Sequence, residues 1–89
     1  MFEIDPAKSE LNRQKHGIDF KEAQKLWEAY TLDAPLPFDS EQRLVVTGKI
    51  HDKHYSAIIT YRHEKIRIIS VRRARREEIR RWQRHKSRR

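Results

Sequence analysis

Residues 43–73 read RLVVTGKIHDKHYSAIITYRHEKIRIISVRR. Three runs within them, Arg43–Ile50, Tyr55–Arg62 and Ile66–Arg73, are rich in β-branched and aromatic residues, and only HDKH and HEK separate them. Parallel strands need a long crossover, whereas connections this short join antiparallel neighbours. The stretch therefore predicts an antiparallel meander. Strict alternation along the third run would turn Ile66, Ile68, Ser70 and Arg72 to one face and Arg67, Ile69, Val71 and Arg73 to the other. Both faces become polar towards its end, so the strand is expected to leave the core there.

Upstream lie two helices. Asp5-Pro6 opens the first, with Asp5 as N-cap and Pro6 at the first helical position, where its missing N–H costs nothing. Gly17 closes it as the left-handed cap residue, and Lys15 and His16 sit in the last turn, where cations suit the helix dipole. The apolar face of this helix is thin, mainly Ala7 and Leu11. The second starts at Asp19, which has capping-box spacing to Glu22, and Phe20, Ala23, Leu26, Trp27 and Tyr30 follow the helical period. This makes it the main helix of the core. Phe2-Glu3-Ile4 reads as a short strand, and TLDAPLPFDSEQ (31–42), with two prolines, as an extended edge followed by a loop.

Downstream, ARREEIRRWQRHK (74–86) predicts a basic helix with Ile79 and Trp82 as its apolar anchors, fraying into a tail over residues 84–89. The expectation is thus a single α+β domain over 1–89: two N-terminal helices packed on a small antiparallel sheet, then a basic C-terminal helix.

The chain has 89 residues and a net charge of +8. Ten Lys/Arg against two Asp/Glu fall in residues 72–89, while residues 1–71 sum to zero. A field this lopsided favours polyanionic partners. A chain of this size buries one modest core and leaves no room for a deep cofactor cavity. With no cysteine it has neither disulfides nor thiolate metal sites. No apolar run approaches a membrane span, and Met1–Asp5 is too short and acidic for a signal peptide, so a cytoplasmic protein is expected. His51, Asp52 and His54 in HDKH are three potential ligands without a supporting cluster, and no metal or other cofactor is expected. No Gly-rich phosphate loop, H-E-x-x-H or Ser/His/Asp pattern occurs.

The succession FEIDPAK, KHG, IDFKEA, TGK and RIISVRRARREE resembles the BrnT toxins of bacterial type II toxin–antitoxin systems, over nearly the whole chain. The resemblance implies a compact fold similar to the RelE ribonuclease toxins and ribonuclease activity on cellular RNA. It also implies a BrnA-like antitoxin, in a hetero-oligomer expected to be 2:2, that neutralises the toxin and contacts operator DNA on its behalf. The tail IRRWQRHKSRR is longer and more basic than is usual in that family.

Metal-free RNA cleavage by the neighbouring 2′-hydroxyl needs a base, an acid and fixed cations around the phosphorane. Arginine suits the cationic role through its planar fork of donors, and lysine or histidine suits proton transfer. The catalytic candidates are Lys49, Arg62, Arg67, Arg72 and His16; the RNA-binding candidates are Lys15, Ser70, Arg73, Arg76 and Arg80. Several carry a structural alternative. Arg67 interrupts an apolar strand and either lines a site or meets Glu64 or another carboxylate. Arg72 and Arg73 point to opposite faces, so one of them serves a site and the other the last helix or a partner. Ser70 either contacts phosphate or fills a crowded strand crossing. His16 either transfers protons or ties a helix end to the sheet. A basic nucleic-acid-binding protein without chemistry is the competing reading; it needs none of Lys49, Arg62 or Arg67 in particular.

Overall fold

The computed structural model describes residues 1–36 and 42–88. The loop expected after the edge strand lies, over residues 37–41, outside the described residues, as does Arg89. Five strands, β1 (Phe2–Glu3), β2 (Leu32–Pro35), β3 (Leu44–Ile50), β4 (Lys53–Arg62) and β5 (Lys65–Arg73), form one sheet in the order β1-β5-β4-β3-β2. The helices are α1 (Pro6–His16), α2 (Phe20–Ala23) and α3 (Arg76–Ser87). Residues 84–87, expected to fray, are thus helical. Among the described residues no helix is long and apolar enough to cross a membrane.

The meander β3–β4–β5 is present, but the sheet is mixed rather than purely antiparallel. β1 runs parallel to β5, pairing Phe2 with Ile66 and Glu3 with Arg67. No hairpin constrains the direction of a strand so distant in sequence, and the open edge of β5 accepts it either way. The two hairpins are tighter than HDKH and HEK suggested. Ile50 pairs with Lys53 and Arg62 with Lys65, leaving two-residue turns. His51, His63 and Glu64 carry positive φ there.

Strict alternation fails in β5. Ser70 pairs with Ile58 but Ile68 pairs with Ile59, so Ile69 is an extra residue, a β-bulge. The bulge resets the parity: Ile66, Ile68 and Val71 all face the core, and Arg67, Ser70 and Arg72 share the opposite face. The core face carries Val46, Ile50, Ala57 and Ile59 from β3 and β4, and packs against Ile18, Phe20, Ala23 and Leu26.

Two helical expectations also change. α1 does not dock through Ala7 and Leu11, since Leu11 is 63% exposed and Ala7 is exposed. Its one buried residue is Asn12. The Asn12 amide donates to the carbonyls of Ile18 (2.8 Å) and Val71 (2.9 Å), and its oxygen accepts from the Val71 N–H (3.0 Å). Those bonds satisfy β5 just past the bulge, where β1 has ended and a buried backbone would otherwise lack partners. The predicted second helix is regular only over α2 and then tightens into a 3-10 turn over Gln24–Glu28. That turn presses on β3: a Cβ on Gly48 would lie 3.1 Å from Leu26 Cδ2 and 3.2 Å from Thr31 Cγ2, so glycine permits the approach. The caps Asp5, Asp19 and Gly17 (φ 78°) are as expected.

Candidate active site and nucleic-acid interface

The face opposite the core carries Lys49 on β3, Ser56, Ile58, Thr60 and Arg62 on β4, and Arg67, Ser70 and Arg72 on β5, as the strand pairings require. α3 packs chiefly on β3 and β2. On the other half of this face Ile58, Thr60, Arg67 and Ser70 stay partly exposed. A shallow surface with three arginines and the hydroxyls of Thr60 and Ser70 therefore lies beside the C-terminal helix.

The arginines are not free charges. Arg67 Nη1 donates to Glu3 Oε1 at 2.9 Å, and Arg62 Nη1 lies 3.9 Å from the same oxygen. The carboxylate that Arg67 meets is thus Glu3, delivered by β1, and not Glu64, which occupies the hairpin turn. A guanidinium has five donors, so Arg67 retains donors beyond this bond. Arg72 is held more firmly. Its Nη1 and Nη2 donate to Glu78 Oε1 (2.8 Å) and Oε2 (2.9 Å). Oε1 also accepts from Ser56 Oγ (2.9 Å) and from the Arg75 N–H (2.8 Å), and Ser56 Oγ lies 2.8 Å from Thr47 Oγ1. Burial alone would push the Glu78 carboxyl up; the Arg72 fork, the Arg75 N–H and the Ser56 hydroxyl outweigh it and hold the group at about 2. Arg72, whose Nη1 also donates to the Arg73 carbonyl (3.3 Å), therefore docks α3.

Beside Ser70 the α1–β5 boundary opens into a cleft of about 210 Å³ lined by Lys8, Leu11, Asn12, Lys15, His16, Ile69 and Ser70. Lys8, Lys15 and His16 come onto this edge from a helix more than fifty residues away in sequence, because Asn12 fastens α1 there. Among the described residues none of the three forms an ion pair. Two ammonium groups, an imidazole and a hydroxyl around one concavity can hold a phosphate and exchange a proton with its ester oxygens.

The remaining candidates lie elsewhere. Lys49 pairs with His54 at the β3–β4 hairpin, eight residues along β4 from Arg62. At the usual rise per residue that is about 26 Å, so Lys49 and Arg62 are not within reach of one phosphodiester. Arg73 projects from the core face, its guanidinium 5.7 Å from the Tyr55 ring centroid. Arg76 and Arg80 are exposed on α3. Sequence reasoning missed Glu3, Lys8, Asn12 and Glu78, and weighed His54 only as a metal ligand. The signal for Glu78 was legible: an acid in the first turn of an otherwise arginine-rich helix, six residues after Arg72.

A family model described as "Ribonuclease toxin, BrnT, of type II toxin-antitoxin system" matches residues 4–78. No curated protein matches the chain.

Proposed function

The chain belongs to the BrnT family of ribonuclease toxins of type II toxin–antitoxin systems, and from that premise we propose that it is an endoribonuclease whose site is the open sheet face around Arg62, Arg67 and Ser70 together with the adjoining α1 cleft. The single observation carrying this reading is the bulge at Ile69, which turns Arg67, Ser70 and Arg72 to the face of Arg62 and borders the cleft that holds Lys15 and His16.

In the proposed reaction the 2′-oxygen of one nucleotide attacks its own 3′-phosphate. The 2′-O–P bond forms, the P–O5′ bond breaks, and the products are a 2′,3′-cyclic phosphate and a 5′-hydroxyl. Arg62, Arg67 and Lys15 balance the charge gathering on the non-bridging oxygens, and Ser70 donates a hydrogen bond to one of them. His16 carries the proton: its imidazole takes it from the 2′-hydroxyl and returns it to the 5′-oxygen through solvent. No metal is required. Arg72, already committed to Glu78, positions α3 and so the edge of the groove. Lys49, Arg73, Arg76 and Arg80 engage the RNA backbone away from the scissile bond. The fold relationship is RelE-like, the site cytoplasmic, and a BrnA-like antitoxin in a 2:2 complex covers the basic face with its carboxylates.

Induced expression in a bacterial host tests this. The wild-type chain should arrest growth with loss of RNA integrity, and Arg62→Ala combined with Arg67→Ala should do neither. In vitro cleavage should persist in a chelator and stop when the scissile nucleotide is 2′-deoxy. Folded variants as toxic as wild type would remove the site assignment.

A further inference from the structure

At the far end of the sheet, the hairpin end of β3–β4 meets the C-terminal half of α3 around His54. The His54 ring stands edge-on to Trp82, with centroids 4.8 Å apart, and Trp82 in turn touches Tyr30 (5.9 Å) and lies under Lys86 Nζ (4.8 Å). Nε1 of Trp82 donates to the Tyr30 carbonyl at 3.2 Å, which fixes the indole over the imidazole. Lys49 is the strand partner of His54. The Ala74 N–H donates to the His54 carbonyl at 2.9 Å, which closes this end of β4, while Arg73 turns to the core face over Tyr55. Neither ring nitrogen of His54 bonds to another described residue, and Nε2 is shut off from solvent.

This grouping is unlike the Arg62–Arg67 end. There Glu3 offsets the charge, whereas no carboxylate pairs with Lys49, Arg73 or Lys86 among the described residues. An imidazole flanked by two ammonium groups that no described carboxylate offsets makes this end of the sheet attractive to an anion.

We propose that Lys49, His54 and Lys86 form a second phosphate station, which takes a backbone phosphodiester of the same single-stranded RNA that is cut at the Arg62–Arg67 end. The inference rests on the proposed ribonuclease reading and deepens it. It gives the RNA a direction across the sheet, with two phosphate grips about 26 Å apart along β4.

The station also responds to pH. Desolvation first, then the charges of Lys49, Arg73 and Lys86, hold the His54 imidazole below its ordinary value, so at neutral pH the ring is uncharged. A phosphate beside Lys49 and Lys86 reverses the local field and favours the imidazolium. Because the bound state holds the proton more tightly, RNA binding takes up a proton and strengthens as pH falls.

The test uses the full chain and a ten-nucleotide 2′-O-methyl RNA, which binds but cannot be cut by 2′-attack. NMR titration of the His54 ring should show its pKa rising by about one unit on saturation, with affinity increasing up to about tenfold between pH 8 and pH 5. His54→Phe retains the ring stack on Trp82 and should remove this pH dependence. Lys86→Ala, at an exposed position, should reduce the slope of log affinity against log salt by about 0.7. A His54 pKa unmoved by the oligonucleotide, or unchanged pH dependence in His54→Phe, overturns the proposal. So does a pKa that rises with polyglutamate but not with RNA, which would assign the cluster to an acidic protein partner. Cleavage of ordinary RNA by the wild-type chain is scored separately: its absence strikes the ribonuclease reading, while the binding arms still decide the station.

Discussion

Replacing Glu78 by glutamine changes little in volume and removes one charge from the most densely bonded side chain on the site face. Glu78 is 8% exposed and receives both arms of Arg72, the Ser56 hydroxyl and the Arg75 N–H. A carboxyl held at about 2 instead of 4.5 corresponds to about 3 kcal/mol of stability at neutral pH. Breaking a buried pair by removing one partner costs about 3–5 kcal/mol, so the two routes agree. Because the folded value is depressed, this stability is fully present above the ordinary carboxylate range and is lost as pH falls from about 4.5 to about 2. Glu78→Gln should therefore unfold roughly 15 °C below wild type at pH 7. The gap should shrink through pH 4 and vanish near pH 2. Paired urea unfolding curves at pH 7, 5, 4, 3 and 2 measure it. A gap under about 1 kcal/mol at pH 7, or one that does not change with pH, would show that the pair contributes no more than a surface ion pair and that Trp82 alone docks α3.

Asn12→Leu should cost about 2–3 kcal/mol by orphaning the Val71 N–H and two carbonyls, and hydrogen exchange at Val71 should accelerate with it. His63→Asn with Glu64→Gly suits a two-residue turn whose central residues both have positive φ, and should raise the urea midpoint by about 1 kcal/mol equivalent. Glu3→Gln releases Arg67 and Arg62 from their shared carboxylate; RNA should bind several-fold more tightly at low salt, read by fluorescence anisotropy, with the advantage fading as salt is added. An unchanged affinity would mean that RNA does not meet those arginines.

The meander, the caps and the basic C-terminal helix were legible because each is written locally: β-branched runs beside short turns, Asp5-Pro6, Gly17, and a charge run with Trp82 inside it. What escaped was non-local. Strict alternation put Arg67 and Arg72 on opposite faces, because nothing within IRIISVRR announces that Ile69 is unpaired; the bulge arises from pairing with Ile58 and Ile59 and from Asn12 arriving on another helix. Asn12 itself looks like a surface residue in a thin amphipathic helix. For Arg67 the sequence offered Glu64 or another carboxylate without the means to choose; a parallel edge strand supplies Glu3. The candidate list likewise mixed two ends of one sheet, since residue type identifies Lys49 and Arg62 equally well but only the register separates them.

The unpaired Ile69 has a consequence for how the molecule tolerates changes of length. Arg67 and Ser70 stand an odd number of positions apart yet point the same way. Deleting Ile69 would restore strict alternation and leave Arg67, Ser70 and Arg72 outward with Ile66, Ile68 and Val71 inward. Removing a paired neighbour such as Ile68 would instead leave the extra residue in place and cost the core a side chain. A relative could therefore carry the same outward set on a strand one residue shorter, provided the residue lost is the unpaired one.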